Sequence, residues 1–506
     1  MKSQIDICEP IRLSASPEMV EPVNRILIFT IVALALLMIS VDSTIVATIL
    51  HALQHELGTT VNWAGWTLTA FSLGFVVMLP ISGQLSEQYG RRRTFIGSVI
   101  VFTLASLLCG FADNIFMLIA LRALQAAGGA GFTPSATGII VDNLGDARDR
   151  AVSLFGSIFP VGAMIGPIFG GLFVTYWTWR AVFLINVPLG IAVIVLALRY
   201  IPRDPPRQKK TGFRMDISGM LLLGAGLLAG MFAVTHLGEA RASIWSVGFA
   251  VPLVIALFAT RMFFRHINRS AHPFIAPHLI YGANFGAVNL INIALTGVTI
   301  GAVALIPLYA INRYGISALD SGTLLVAQGG AAAIMSVAAT FLLRRTGHRL
   351  PIYTGSTIIA VGMVLLALTP KFGVSPYVWL MGSAFLIGIG MGTINPASRN
   401  AGLQLAPQQS STLAALRSLS LQIGMIIMIS ITTAILAVST DLGSSQAWIY
   451  IAAALLLVTT LPVISHVPEH HGSWWLWSRP PQTAWLLAEA LDRPIAPATR
   501  IDAFAG

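Results

Sequence analysis

Apolar runs long enough to cross a bilayer, roughly 20 residues each, recur about fourteen times along the chain, and the basic residues sort to one side of them. With the N-terminus placed in the cytoplasm, roughly 24 of the 30 lysines and arginines fall on the inner side, about four on the outer side and two within spans. Cytoplasmic loops keep Lys and Arg because these residues resist translocation. Such an alternation admits one class of fold, a polytopic bundle of membrane-spanning helices. Composition agrees: only 10% of residues are charged, against about 25% in an ordinary soluble domain. A soluble chain could not cover its surface with so few.

The net charge of +10 raises nucleic acid as a partner. The basic residues are spread over separate inner loops rather than gathered on one module, however. Topology and attraction to anionic lipid headgroups account for them, so no nucleic-acid partner is expected. Cys8 lies in a polar tail and Cys109 in an apolar run, so neither a disulfide nor a metal site is expected. No cleavable signal is visible; the first apolar run, from near Arg25, reads as an uncleaved anchor.

Helices one to six are expected near 25–49, 63–82, 94–111, 115–140, 151–174 and 179–198. A basic connection, Arg199 to Arg214, carries Arg203, Arg207, Lys209 and Lys210. Helices seven and eight follow near 216–237 and 245–264, and helices nine to fourteen near 285–311, 321–343, 351–369, 376–398, 411–438 and 446–466. The organisation is then an N-terminal tail (1–24), a six-helix bundle (25–200), a basic loop with two inserted helices (201–284), a second six-helix bundle (285–466) and a C-terminal tail (467–506). Both tails are expected in the cytoplasm. WWLWSRPP from Trp474 suits a membrane interface.

A weak internal repeat supports two related halves. GQLSEQYGRRR from Gly83 is echoed by TFLLRRTGHRL from Thr340, with Leu85 against Leu342 and Gly90 against Gly347. GGAGFTP at 128–134 is echoed by GMGTINP at 390–396. Duplicated halves are a known transporter architecture.

Asp42 is the one carboxylate placed well inside a span, in MISVDSTIVATIL. A charge in lipid costs several kcal/mol, so such residues face a polar interior and carry function by default. Arg122, in LIALRALQAAGG of helix four, is its natural counterpart. At 1.5 Å per residue both lie about 10–12 Å from the outer ends of their helices, so they can share one layer. Burial favours an acid's neutral form and a neighbouring guanidinium its charged form. The pair reads as a proton-coupling device, or as a static ion pair that fixes packing. Gln125 and Gly129 share the Arg122 face by their spacing.

Helix five carries GSIFPVGAMIGPIFGG. Gly162, Gly166 and Gly170 make a small-residue stripe that favours close helix contact; Pro160 and Pro167 can bend the rod, and Gly171 ends the motif. A close-packed, bent helix suits a rocking interface between halves, or ordinary membrane packing. The inner turn from Gly83 combines Gly90, able to supply a left-handed helix end, with Arg91 and Arg92. Its Glu87 is placed to meet these arginines or a helix N-terminus. Arg417, about six residues from the inner end of helix thirteen, reads as snorkelling to headgroups or binding an anionic substrate group. Gln125, Asn292, Gln328 and Asn395, with Gln422, are polar residues within spans that line a cavity or bridge helices. His51, His55 and Glu56 read as a solvated loop rather than a metal site.

These strings together resemble the major facilitator superfamily, and more narrowly its fourteen-helix drug:proton antiporter branch, the EmrB/QacA type, over roughly 25–466. VDSTIVATIL resembles the branch's first-helix signature with Asp42 at the functional acid. GQLSEQYGRRR resembles the inner-turn motif, RALQAAGGA the fourth-helix motif with Arg122 at its basic residue, and GAMIGPIFGG the antiporter motif of helix five. WRAVFLINVPLG at 179–190 resembles the opening of helix six in this branch. Ala47, His51 and Glu87 depart from the usual asparagine, proline and aspartate, and LRSLSLQIG around Arg417 lacks the glutamine and paired glycines of the branch.

The resemblance implies an all-α membrane protein of the major facilitator fold, with two six-helix bundles, two extra helices and fourteen spans. It also implies proton-coupled efflux of amphipathic drugs, dyes or biocides across a bacterial plasma (inner) membrane by alternating access. The alternative is a proton-coupled carrier of an endogenous metabolite such as a siderophore. Expected partners are protons, membrane lipids, a small amphipathic substrate and, in a Gram-negative cell, a periplasmic adaptor. The proton gradient supplies the energy, with no cofactor and no metal. An enzyme would need clustered buried nucleophiles, histidines or carboxylates, which the spans do not offer.

Overall fold

The computed structural model describes residues 25–143, 148–204, 216–237, 245–270, 273, 275–282, 284–371, 373–405, 410–467 and 469. Cys8, Arg207, Lys209, Lys210, Trp474, the N-terminal tail and all of the C-terminal tail but Val467 and Glu469 lie outside the described residues. Within these, regular structure is entirely helical. Thirteen helices are long and apolar enough to cross a membrane, and helix five, Arg148–Tyr176, adds a shorter apolar stretch over Met164–Tyr176.

Helix one is Arg25–Glu56, helix two Val61–Tyr89 and helix three Arg91–Gly110. Helix four is Ile115–Ala130, continued by Phe132–Asn143 after a break at Gly131. Helix six is a turn, Ala181–Leu184, followed by Asn186–Tyr200. Helices seven and eight are Ile217–Leu237 and Val247–Arg269. Helix nine runs in pieces: Phe285–Ile291, a π-helical turn Asn292–Gly297, Val298–Ala304, and Ile306–Tyr314. Helices ten to thirteen are Ala318–Thr346, Arg349–Ala367, Pro376–Leu405 and Ser410–Val438. Helix fourteen is Leu442–Thr460, ending in a 3-10 turn Leu461–His466.

Three boundaries differ from the sequence reading. Helix one runs to Glu56 rather than stopping near 49, so His51 and His55 sit one above the other on a helix, with Nε2 atoms 3.2 Å apart. They are not in a loop because no breaker intervenes; the first positive-φ glycine is Gly58. Helix two continues through GQLSEQY, and the turn is compressed into Gly90 alone, at φ 102°. Helix nine breaks before Pro307, which cannot donate a backbone bond.

Two cores identify two halves. One lies wholly within Val288–Val467 and the other within Ile28–Ile201. A third joins them: Ile45, Ile49 and Leu53 of helix one meet Leu305 and Leu308 of helix nine and Ile429 and Leu436 of helix thirteen. The face carrying Arg91–Arg93 is the basic face. Tight glycine approaches between halves lie toward the opposite, far face, while Val76 of helix two packs on Leu413, Leu416 and Leu419 nearer the basic face. A Cβ on Gly322 would stand 2.4 Å from the Pro167 carbonyl oxygen, one on Gly171 2.8 Å from Leu319 Cα, and one on Gly65 2.6 Å from Thr433 Cγ2.

Of the inserted pair, helix seven packs on helices two and thirteen, and helix eight packs on helix seven. Asn62 Nδ2 donates to the Thr235 carbonyl at 2.8 Å, and Trp66 Nε1 to Thr235 Oγ1 at 2.6 Å. Asn62 Oδ1 accepts from Thr433 Oγ1 at 3.4 Å, so one side chain touches both halves and the insert. Near the basic face, Asp216 caps helix seven at Gly219 N (2.9 Å) and holds His266 of helix eight at 2.6 Å. At the far end, exposed Asp441 caps helix fourteen, and hydrogen bonds from Ser444 hold its carboxyl below the usual carboxylate range.

Candidate functional site

Helix one brings Asp42, and helix four brings Arg122 and Gln125, to a common layer of the N-terminal half. All three are 0% exposed. Asp42 Oδ2 accepts from Arg122 Nη1 at 2.6 Å; Asp42 Oδ1 accepts from Gln125 Nε2 and from Asn186 Nδ2, each at 2.9 Å. The Gln125 Oε1 atom accepts from the same Arg122 nitrogen at 2.6 Å, and Ser106 Oγ accepts from both amides at 3.0 Å while donating to the Phe183 carbonyl at 2.9 Å. Arg122 Nε reaches the Thr67 carbonyl at 3.4 Å, and the guanidinium lies 4.2 Å from the centre of the Phe71 ring. Three donors converge on one carboxyl, an arrangement suited to an anion, which only accepts.

Sequence reasoning places Asp42 and Arg122 in one layer, with Gln125 on the Arg122 face, but misses Asn186 and Ser106. Asn186 sits inside the WRAVFLINVPLG string, so the string was noticed while its polar residue was not. Gln125 was grouped with a substrate cavity; the structure instead buries it in the Asp42 network.

The glycine stripe of helix five also has a different partner from a half-to-half joint. A Cβ on Gly162 would meet Ser40 Oγ at 2.3 Å, one on Gly166 Thr44 Oγ1 at 2.2 Å, and one on Gly170 Thr48 Oγ1 at 2.0 Å. Those hydroxyl residues recur every four positions on helix one, in the same half. The neighbouring face, through Met164, Pro167 and Gly171, meets helix ten of the other half.

At the inner turn, Gly83 has no tight neighbour: a Cβ there would be 3.9 Å from Pro134. Arg91 bonds the Gly138 carbonyl and pairs with Asp142 at 2.6 Å; Arg92 Nη2 donates to the Leu198 carbonyl at 2.6 Å. The Glu87 side chain lies outside the described residues. Asp204, just past helix six, caps helix three, accepting from Arg92 N at 2.9 Å and Arg93 N at 3.1 Å. The other half repeats the device. Past Gly347, at φ 72°, Glu469 beyond helix fourteen accepts from His348 N at 2.9 Å and sits 3.5 Å from Arg349 Nε.

The remaining polar residues do not form one cluster. Asn292 is 1% exposed at the start of the π-helical turn, and Gln328 Nε2 points at Met391 Sδ, 3.3 Å away. Arg417 does not snorkel; its Nη2 donates to Asn395 Oδ1 of helix twelve at 2.9 Å.

A profile of the Major Facilitator Superfamily matches residues 32–429. The chain is similar to the "Multidrug resistance protein B homolog" of Mycobacterium tuberculosis (strain ATCC 25618 / H37Rv), 32% identical over 399 residues, covering 77% of this chain and 72% of that one. It is 30% identical to the "Multidrug transporter protein MdtP" of Bacillus subtilis (strain 168) over 392 residues, covering 76% and 70%. Among solved structures, a D-xylose-proton symporter superposes with a TM-score of 0.62 at 12% identity, over 88% of this chain and 98% of that one, a likeness of fold. A helical multi-pass architecture, two halves around a shared core and a profile match across most of the chain agree: this is a transporter rather than an enzyme, and the chain belongs to the Major Facilitator Superfamily.

Proposed function

We propose that the protein exports amphipathic, drug-like molecules in exchange for protons, with the basic face in the cytoplasm. The carrying observation is the Asp42 network. Its carboxyl is surrounded by donors and fully buried. Adding a proton removes the charge that Arg122 pairs with and places an O–H among donors, which weakens the contacts. Breaking a buried ion pair costs about 3–5 kcal/mol because the remaining charge is stranded. Arg122 then needs water or another partner, and a rearrangement that opens the layer supplies one. Protonation thereby favours one conformer and deprotonation the other, a two-state switch limited by its differential proton affinity.

Relatives with multidrug names support the substrate class, and the charge asymmetry supports the orientation. The tight glycine contacts between the halves at the far face support a reading in which cargo loads from the basic side. Asp42→Asn should abolish pH-gradient-driven export of a dye from energised inverted vesicles while the protein stays inserted and monodisperse. Unimpaired gradient-driven export by that variant would remove Asp42 from the mechanism.

A further inference from the structure

The C-terminal half holds a positive charge that the proton switch does not use. Between 285 and 466 the only acids are Asp320 and Asp441. The first opens helix ten and the second caps helix fourteen, both at the far face. Arg417 lies toward the opposite end of helix thirteen. Its direction is fixed by its neighbours: Leu413, Leu416 and Leu419 pack with Val76 of helix two and with Ile275 and Leu279, while a Cβ on Gly424 would meet Gly297 Cα of helix nine at 2.8 Å. Arg417 lies between these two contacts, and its guanidinium reaches helix twelve, where Nη2 donates to Asn395 Oδ1 at 2.9 Å.

On helix twelve it meets Asn395, and exposed Arg399 lies one turn further along the same face of that helix. Arg417 Nε is buried with no hydrogen-bond acceptor among the described residues, and Arg417 as a whole is partly exposed. Two guanidiniums and an amide thus share a corner with no described carboxylate paired to Arg417. The corner lies toward the basic end of helices twelve and thirteen, away from the far-face glycine contacts between the halves. Leaving a buried donor unsatisfied is costly, and a guanidinium presents a fork that matches carboxylate or phosphate oxygens.

We infer that Arg417, with Asn395 and Arg399, forms a subsite for an anionic group, so that the preferred cargo is an anionic or zwitterionic amphiphile rather than a simple cationic dye. The inference rests on the export reading for the word cargo, and its test uses binding alone, without a gradient. The probes are dansylaminoundecanoic acid and its trimethylammonium counterpart, titrated by fluorescence onto purified protein in phosphatidylcholine nanodiscs. Wild type should prefer the carboxylate. Arg417→Gln should weaken carboxylate binding by about ten- to a hundredfold and leave the cation unchanged or tighter. Arg417→Lys should recover part of the preference.

Arg399→Gln, at an exposed position, should shift it the same way, which keeps the test decisive if Arg417→Gln does not fold. Equal affinity for both probes in wild type, or a preference indifferent to these substitutions, overturns the assignment. The same anion could come from a lipid headgroup: if phosphatidylglycerol displaces the carboxylate probe from wild type but not from Arg417→Gln, the corner is a lipid site and the cargo assignment falls. Asp42→Asn should retain the probe preference, so failure of the proton mechanism and failure of this subsite give separate results.

Discussion

Asp42 is held by three side chains from two other helices, and these contacts are not equivalent. Arg122 supplies charge, whereas Asn186 supplies direction, since it bonds both Asp42 Oδ1 and Ser106. Asn186→Ala should therefore leave substrate binding intact and slow gradient-driven transport, because the carboxyl loses the donor that ties it to Ser106. Unaltered turnover in proteoliposomes would show Asn186 to be packing only. The pairing of Asp42 with Arg122 was legible because charge is rare in spans and depth can be counted along a helix. Asn186 was not, because an asparagine next to a helix break is unremarkable until three dimensions bring it within 2.9 Å of a carboxylate.

At the scale of helices, helix five works on two faces. Its glycines seat the hydroxyls of Ser40, Thr44 and Thr48 inside one half, while its other face meets helix ten across the joint. Gly166→Leu would drive a side chain against the Val41 carbonyl oxygen, 2.8 Å from its Cβ. Overpacking of this kind costs about 1–3 kcal/mol, and the thermal midpoint of the purified protein should fall. Gly322→Ala should act differently, since its Cβ meets backbone of the other half at 2.4 Å. Each half should stay folded while the far face opens, read as faster labelling of a cysteine introduced at Thr433. Spacing alone revealed that the glycine stripe packs tightly. It could not reveal against which helix, because every neighbouring rod in a bundle is equally apolar in sequence.

For the molecule as a whole, the duplication is clearest at its turns. Gly90 and Gly347 both take positive φ, and each turn is closed by a carboxylate arriving after the last helix of its own half, Asp204 or Glu469. Each half is thus tied head to tail. Asp204→Asn and Glu469→Gln should each lower turnover and thermal stability, with the double variant near the sum because the two latches share no partner; a wild-type midpoint in the double variant would show the latches to be ornamental. The glycines and arginines of this device stood out in the sequence. Its acids lie more than a hundred positions away, beyond the reach of any local pattern. The burial of Asp42 has one more consequence. In a conformer where neither water nor lipid touches that carboxyl, no hydronium from either bath can reach it, so under the proposed coupling an idle copy does not short-circuit the electrochemical gradient. A cell can then carry many resting copies without dissipating its proton-motive force.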